Sequence, residues 1–130
     1  MRPVVYLSVE GVLEIHRRVI EVFGGDHGVR DRGLLASAVA MPRASFGGEE
    51  LHVGLAEKAA AYHFHLCANH PFVDGNKRVA VVAAEVFLEI NGCHLGADDK
   101  EVERLTRGVA SGQLTKGHVI DFFSEYVQEE

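Results

Sequence analysis

The chain has 130 residues, 47% of them hydrophobic and 25% charged, with a formal net charge of -6, which predicts one globular domain over residues 1–130. The acidic balance excludes a protein that coats nucleic acid through its overall charge, because phosphate binding needs a basic surface. No apolar run approaches the roughly 20 residues that cross a bilayer and no secretory signal is recognisable, so we expect a cytoplasmic protein with no membrane partner and no direct nucleic-acid partner.

The first half of the chain predicts two helices and a loop. Ser8 can cap a helix whose apolar residues recur every three or four positions until Gly24-Gly25 ends it. A second helix begins after Asp31 and stops before Pro42, and we expect the two to pack antiparallel. Residues 42–50, PRASFGGEE, have the composition of a mobile loop or short hairpin.

We name residues 42–50 the candidate flap. Its Arg43 and Phe46 are candidates for contact with a protein substrate, and the alternative is that they belong to a plain solvated loop.

The second half predicts four more helices. An Ala-rich helix over 51–69 has small residues that would let it pass close to its neighbours through the middle of the core. It ends where Pro71 disfavours helical geometry at His70. The next begins at Asp74-Gly75, is apolar nearly all round and is expected to be the central buried helix. Shorter helices follow Asp98 or Asp99 and open at Thr115. Convincing strands are limited to RPVVYL, residues 2–7, and the candidate flap, so the predicted fold class is all-α with about six helices.

The densest polar cluster, HPFVDGNKR at residues 70–78, stands directly before the most apolar helix. The first amides of a helix have no partner within it and carry the positive end of its dipole, so an anion is favoured there. Gly75 presents no side chain to a phosphate, and Lys77 and Arg78 add two cations. Asp74 would repel phosphate unless Mg²⁺ lay between them, which indicates a nucleoside triphosphate with Mg²⁺ as the ligand.

His70, on the connection before this helix, is placed to take a proton from an attacking hydroxyl, and Asn76 can orient either a phosphate oxygen or the loop. Each residue alone has a structural alternative: Asp74 as an N-cap, His70 as an ordinary helix end, Lys77 and Arg78 as solvated side chains. Together they favour an anion site, because cations in a first helical turn are unfavourable without an anion to bind.

The same residues resemble a known family. HPFVDGNKR resembles the signature HxFx(D/E)GNxR of the Fic/Doc superfamily, and GGDHGVRDRGLLASAVAMPRASFGG, residues 24–48, resembles the corresponding region of its death-on-curing (Doc) branch. The resemblance implies a Fic-type helical bundle. It implies that His70 is the general base, Asp74 the metal-binding acid, Gly75 and Asn76 the anion-binding turn, and Arg78 a phosphate clamp.

Two departures from the adenylylating enzymes of this superfamily resemble the Doc branch: Lys77 replaces their usual glycine, and Val81 replaces their second arginine. The resemblance then implies transfer of the γ-phosphate of ATP to a threonine of elongation factor Tu. Adenylyl transfer, or an inactive module that only binds an antitoxin, are the alternatives. The inhibitory motif (S/T)xxxE(G/N) does not occur in the sequence, which implies that a separate antitoxin is the partner.

Two further predictions concern the histidines and cysteines. His63, His65, Cys67 and His70 are close in sequence, but residues two apart on a helix point to different faces, so a zinc site is not expected. Cys67 and Cys93 lack CxxC spacing and are predicted to be reduced, buried thiols.

Overall fold

A computed structural model describes residues 2–130 and is mostly helical. The six α-helices are α1 (Val9–Phe23), α2 (Arg32–Ala40), α3 (Gly54–Asn69), α4 (Asn76–Ile90), α5 (Asp99–Ala110) and α6 (Lys116–Tyr126). Four short strands form two antiparallel pairs: β1 (Ser45–Phe46) with β2 (Glu49–Glu50), and β3 (Cys93–Leu95) with β4 (Val127–Glu129). The predicted all-α class with about six helices is confirmed. No helix in residues 2–130 has both the length and the apolar character needed to span a bilayer.

Four of the six helices, α1, α2, α5 and α6, begin at capping side chains that were predicted. The Ser8 hydroxyl accepts a hydrogen bond from Gly11 N at 3.0 Å, and an Asp31 carboxylate oxygen accepts one from Leu34 N at 2.9 Å. Each satisfies an amide that has no partner within its helix. Asp98, rather than Asp99, caps α5, and Thr115 caps α6.

α4 is less enclosed than its apolar sequence predicted, and the helix that runs through the middle of the core, as its small residues predicted, is α3. It packs against α2, α4, α5 and α6, and its residues 58–63 are all buried. Ala59, Ala60 and Ala61 are fully buried and let neighbouring helices approach closely. One face of α4 is instead partly open: Glu85 is exposed and Ile90 is 47% exposed. Burial of α3 fixes the position of His70, which follows its last residue.

The N-terminal segment was predicted as a strand, and this prediction is wrong: residues 2–7 form no strand, and their backbone bonds to side chains. Asn91 donates from Nδ2 to Val5 O at 2.8 Å and accepts from Val5 N at 2.9 Å, while the Tyr62 hydroxyl accepts from Leu7 N at 2.8 Å. These contacts satisfy the backbone without a partner strand. The pair β3 and β4 was not predicted, because each strand has only three residues.

The candidate flap forms a hairpin, one of the two predicted alternatives. Phe46 pairs with Glu49 across a Gly47-Gly48 turn with positive φ at both glycines. Behind it, the almost fully buried Lys58 forms a 3.4 Å ion pair with Glu50 and donates to a backbone carbonyl, that of His52. The hairpin is therefore attached to the first turns of α3.

Candidate functional site

The connection between α3 and α4 begins at His70. His70 is the C-cap residue of α3, with a left-handed backbone (φ 52°, ψ 53°) and an exposed side chain. Among residues 2–130 it is the only residue other than glycine with positive φ. Because the chain turns sharply here, His70 and the N-terminus of α4 line the same groove.

A second segment, residues 24–31, lies against this connection. Val73 N donates to Gly28 O at 3.0 Å. Arg30 N and Asp31 N both donate to Pro71 O, at 2.8 and 3.0 Å. The backbone around the predicted catalytic residues is therefore held by a segment about 40 residues earlier in the chain, between α1 and α2.

Asp74 does not cap α4, so the structural alternative for this residue is not realised. The N-cap is Gly75, and no side chain hydrogen-bonds to the first amides of α4. Asp74 Oδ2 instead accepts from Asp26 N at 2.7 Å. The carboxylate is thus fixed at the mouth of the groove, and the amides that Asp74 would have satisfied as a cap are left without a side-chain partner.

Gly75 has a backbone conformation and a packing environment that both favour glycine. Its φ is +85°, a conformation that residues with a Cβ rarely adopt. An added Cβ would lie 3.2 Å from Ile20 Cδ1 and 3.6 Å from Val19 Cγ1, both on α1. The missing side chain therefore allows α1 to pack against the turn, and the role of Gly75 in phosphate binding stays a prediction.

Asn76 organises the loop, one of the two roles predicted for it. Its side chain is buried, accepts from Phe72 N at 2.9 Å and donates to Phe72 O at 2.9 Å. Both ends of the amide therefore bond to Phe72, and one N–H of its NH₂ group is not used by these bonds. A role of Asn76 in anion binding stays a prediction.

We predict that Asn76→Ala lowers the free energy of unfolding by about 2 to 4 kcal/mol. The change leaves the buried N–H and C=O of Phe72 without partners, and each such group costs about 1 to 3 kcal/mol. Urea unfolding measures the effect. Asn69→Ala, which removes one amide bond to Leu34 O, is the matched control and should cost clearly less; equal losses would contradict this role of Asn76.

Lys77 and Arg78 are exposed cations in the first turn of α4 and line the groove. The Arg78 guanidinium lies 3.6 Å from the centre of the Phe23 ring, a cation–π contact that orients the side chain. No acidic partner pairs with Lys77 or Arg78 among residues 2–130. Their charges are available to a ligand.

The groove has a volume of roughly 870 Å³ and lies between α4 and α5. Lys77, Arg78 and the α4 amides stand at one end, and Glu85, Asp99 and Glu103 also line it. Glu85 lies about 12 Å further along α4 than Lys77, at about 1.5 Å per residue. Loss of hydration in the groove, and then the nearby Asp99 carboxylate, raises the pKa of Glu85. An anion is therefore favoured at the His70 end and repelled at the other.

His16 belongs to this site and was not predicted, because nothing near it in sequence marks it. It is buried on α1, stacks on Phe72 with ring centres 3.9 Å apart, and donates from Nε2 to Asp74 O at 2.9 Å. Burial lowers the pKa of His16, partly offset by that hydrogen bond. The neutral His16 imidazole therefore stabilises the connection between α3 and α4 through Phe72 and Asp74.

The structure does not bring Arg43 and Phe46 to the groove. Arg43 ends a short helical turn, Met41–Arg43, and Phe46 is in β1; neither is among the residues that line the groove. The Arg43 guanidinium lies 4.4 Å from the centre of the Tyr6 ring, and Phe46 is 83% exposed. Contact of these residues with a protein substrate stays a prediction, and they do not line the groove that contains His70.

The remaining histidines and cysteines take structural positions. His63 donates from Nε2 to the Thr106 hydroxyl at 2.9 Å, and Thr106 in turn donates to Val102 O. Cys67 and Cys93 are buried free thiols, as predicted, and burial raises the pKa of Cys67 to about 11. Among residues 2–130 no group of three or more His, Cys, Asp or Glu side chains is arranged to hold a metal ion.

A magnesium ion would therefore have few protein ligands here. Asp74 is the acidic side chain at the anion-binding end of the groove, and only its Oδ2 is engaged, by Asp26 N. One carboxylate together with substrate phosphates and water is a common ligand set for Mg²⁺. The donor set fits an ion that arrives with a nucleotide better than a permanently bound one.

Comparison with known proteins gives consistent matches. The model of the Fic/DOC family matches residues 6–88. Protein kinase doc of Escherichia phage P1 is 32% identical over 116 residues, which is 89% of this chain and 90% of that protein. Toxin Doc of Mycolicibacterium smegmatis is 53% identical over 76 residues, and this match spans only 58% of each protein. The family match over residues 6–88 includes the connection from His70, and the three matches agree on one family.

Proposed function

The chain belongs to the Fic/DOC family, and from this premise we propose that it is a Doc-type toxin that transfers the γ-phosphate of ATP to a serine or threonine hydroxyl of a protein. Elongation factor Tu is the proposed target, and arrest of translation the proposed consequence. The names Toxin Doc and Protein kinase doc of the two relatives agree with this proposal.

The observation that carries the proposal is the uncapped N-terminus of α4. Its first amides have no side-chain partner, and they line one groove together with Lys77, Arg78 and the His70 imidazole. A helix N-terminus with adjacent cations attracts phosphate groups. An imidazole at the same end of the groove is in reach of a hydroxyl that attacks such a phosphate.

In the proposed reaction His70 accepts the proton of the target hydroxyl, while the hydroxyl oxygen forms a bond to the γ-phosphorus. The bond from that phosphorus to the β–γ bridging oxygen breaks, and ADP leaves. Asp74 would hold Mg²⁺, which offsets phosphate charge when bound. Lys77, Arg78 and the α4 amides stabilise the negative charge on the transferring group.

Adenylyl transfer is the second candidate, and one observation disfavours it. Val81 lines the groove one turn after Arg78, at the position where adenylylating relatives carry a second arginine. The groove therefore has no second guanidinium at that turn to hold a further phosphate, while Lys77 adds a cation at the helix start. This charge distribution supports a nucleotide pose that presents the γ-phosphate to His70.

We also propose a cognate antitoxin as the regulatory partner and the cytoplasm as the location, because the target is a translation factor. The toxin name of one relative supports an antitoxin. A catalytically silent, antitoxin-binding module is the remaining alternative, and binding of ATP with Mg²⁺ measured by calorimetry distinguishes it from an enzyme.

Transfer assays with two labels test the proposal. Incubation with elongation factor Tu, Mg²⁺ and ATP labelled at the γ-phosphate should label the factor, and ATP labelled at the α-phosphate should not. Label from the α position would establish adenylyl transfer instead. Absence of both labels, with the folded protein and with nucleotide binding demonstrated, would refute transfer to this target.

A further inference from the structure

The Arg30 side chain contacts the end of α3 directly behind His70. Its Nε donates to His70 O at 2.7 Å, and its Nη2 donates to Asn69 O at 2.9 Å. The last carbonyls of a helix have no partner within the helix and carry the negative end of its dipole. A guanidinium, with two donors in one plane, fits two successive carbonyls in a way that a single ammonium cannot.

The same carbonyl belongs to a residue in an uncommon conformation. His70 has φ 52°, and a side chain with a Cβ adopts this region only where the surrounding structure holds it there. Arg30 binds His70 from its side chain, and the Arg30 backbone N–H binds the next carbonyl, that of Pro71, at 2.8 Å. One residue therefore contacts three successive carbonyls across the turn.

We propose that Arg30 is a positioning residue that holds His70 in the left-handed conformation and so directs its imidazole into the groove. The proposal rests on the proposed function of His70 as the base. Arg30 does not line the groove, so it acts through His70 and not on the nucleotide. Its cationic charge lies behind the connection, at the C-terminus of α3, where it stabilises the helix end.

Arg30→Gln should lower kcat for phosphate transfer by about 10- to 100-fold, because a displacement of about 1 Å at a reacting group costs up to that factor. KM for ATP should stay within about twofold, since Lys77, Arg78 and the α4 amides are unchanged. Arg32→Gln is the matched control: it removes the same charge two residues later, from an exposed position at the start of α2. It should leave both constants unaffected.

Two further variants separate positioning from folding. Arg30→Lys keeps the positive charge but replaces the planar guanidinium with a single ammonium group. Its kcat should lie between those of the wild type and Arg30→Gln. Arg30→Ala should be partly rescued by added guanidinium, which can occupy the vacated site against the two carbonyls, and the same addition should not raise kcat of Arg32→Ala. The proposal would be overturned if added guanidinium did not raise kcat of Arg30→Ala and if Arg30→Lys had the same low kcat as Arg30→Gln.

A measurement independent of activity distinguishes failure of this inference from failure of the proposed function. In protein labelled at histidine, the backbone ¹³Cα and ¹³Cβ shifts of His70 report its conformation. Arg30→Gln should move them and Arg32→Gln should not. If they move while the wild-type protein transfers no phosphate, the positioning stands and the proposed function fails; if His70 shifts are the same in both variants, Arg30 does not set its conformation.

Discussion

His70→Ala should reduce the rate of γ-phosphate transfer by roughly 100- to 10,000-fold, the usual contribution of a general base. His70 is exposed and lines the groove, and its side chain is not part of the buried core. The loss should therefore appear in the chemical step and not in folding. Single-turnover transfer of label measures it, with thermal unfolding of the same variant as a check on the fold.

His70→Asn is the sharper variant. Asparagine adopts the left-handed region more readily than other residues with a Cβ, so the backbone at φ 52° is retained while the proton acceptor is lost. His94→Ala is the control, because it removes a partly exposed imidazole on β3. If His70→Asn still transferred phosphate at the wild-type rate, another group would be the base.

How far the sequence predicts the site depends on the length of chain that each contact spans. The order of residues 70–78 predicts the helix start and the cations near it, because these are consequences of local geometry. Gly75 and Asn76 were identified as site residues, but the neighbours that fix them in the structure were not. The Gly75 position is set by α1, and the Asn76 amide by Phe72, neither of which follows from composition.

Residues that act from a distance were not predicted. Arg30 contacts carbonyls 39 and 40 residues later, and His16 contacts one 58 residues later. A lone arginine in a loop and a lone histidine on an amphipathic helix are ordinary in sequence. Only the packing of α1 and α2 against the connection after α3 gives them a role. The position of α4 was misjudged for a similar reason: its open face borders the groove.

These contacts make one physical unit of three separate segments. The segment between α1 and α2 binds Asp74 through Asp26 N and the end of α3 through Arg30, while His16 supports the Asp74 carbonyl. The connection between α3 and α4 therefore loses its conformational freedom once, when the protein folds. The cost in entropy does not recur at each turnover. A site built in this way is preorganised, and its weak point is whatever loosens α1, α2 or α3.

Acid is expected to be such a condition, because α3 carries histidines that are buried in the neutral form. Burial lowers the pKa of His63 from 6.5 to about 4. His63 therefore binds fewer protons in the folded protein than in the unfolded one. Its contribution to the free energy of unfolding is full above about pH 6.5 and is lost as pH falls toward 4. For a group this buried the loss is about 2 to 3 kcal/mol between pH 7 and about pH 4.5.

Other titratable groups change how steeply the free energy of unfolding falls with pH. Burial also lowers the pKa of His65 to about 4, and it lowers the pKa of His16 and His52, so each adds to the loss. Glu85 has a raised pKa and acts in the opposite direction, since its folded state takes up a proton more readily than its unfolded state as pH falls. The histidines outnumber it, and the net change should be destabilising.

Urea unfolding at a series of pH values from about 7 to 4.5 measures this effect, and His63→Gln identifies its source. A glutamine amide can still donate to the Thr106 hydroxyl, and its oxygen replaces His63 Nδ1, a buried atom that already has no partner. The variant should lose less stability than the wild type on acidification, by about 2 kcal/mol, whatever its stability at pH 7. His94→Gln should keep the wild-type slope. A slope that His63→Gln does not change would mean that the buried imidazole of α3 is not what makes the fold sensitive to acid.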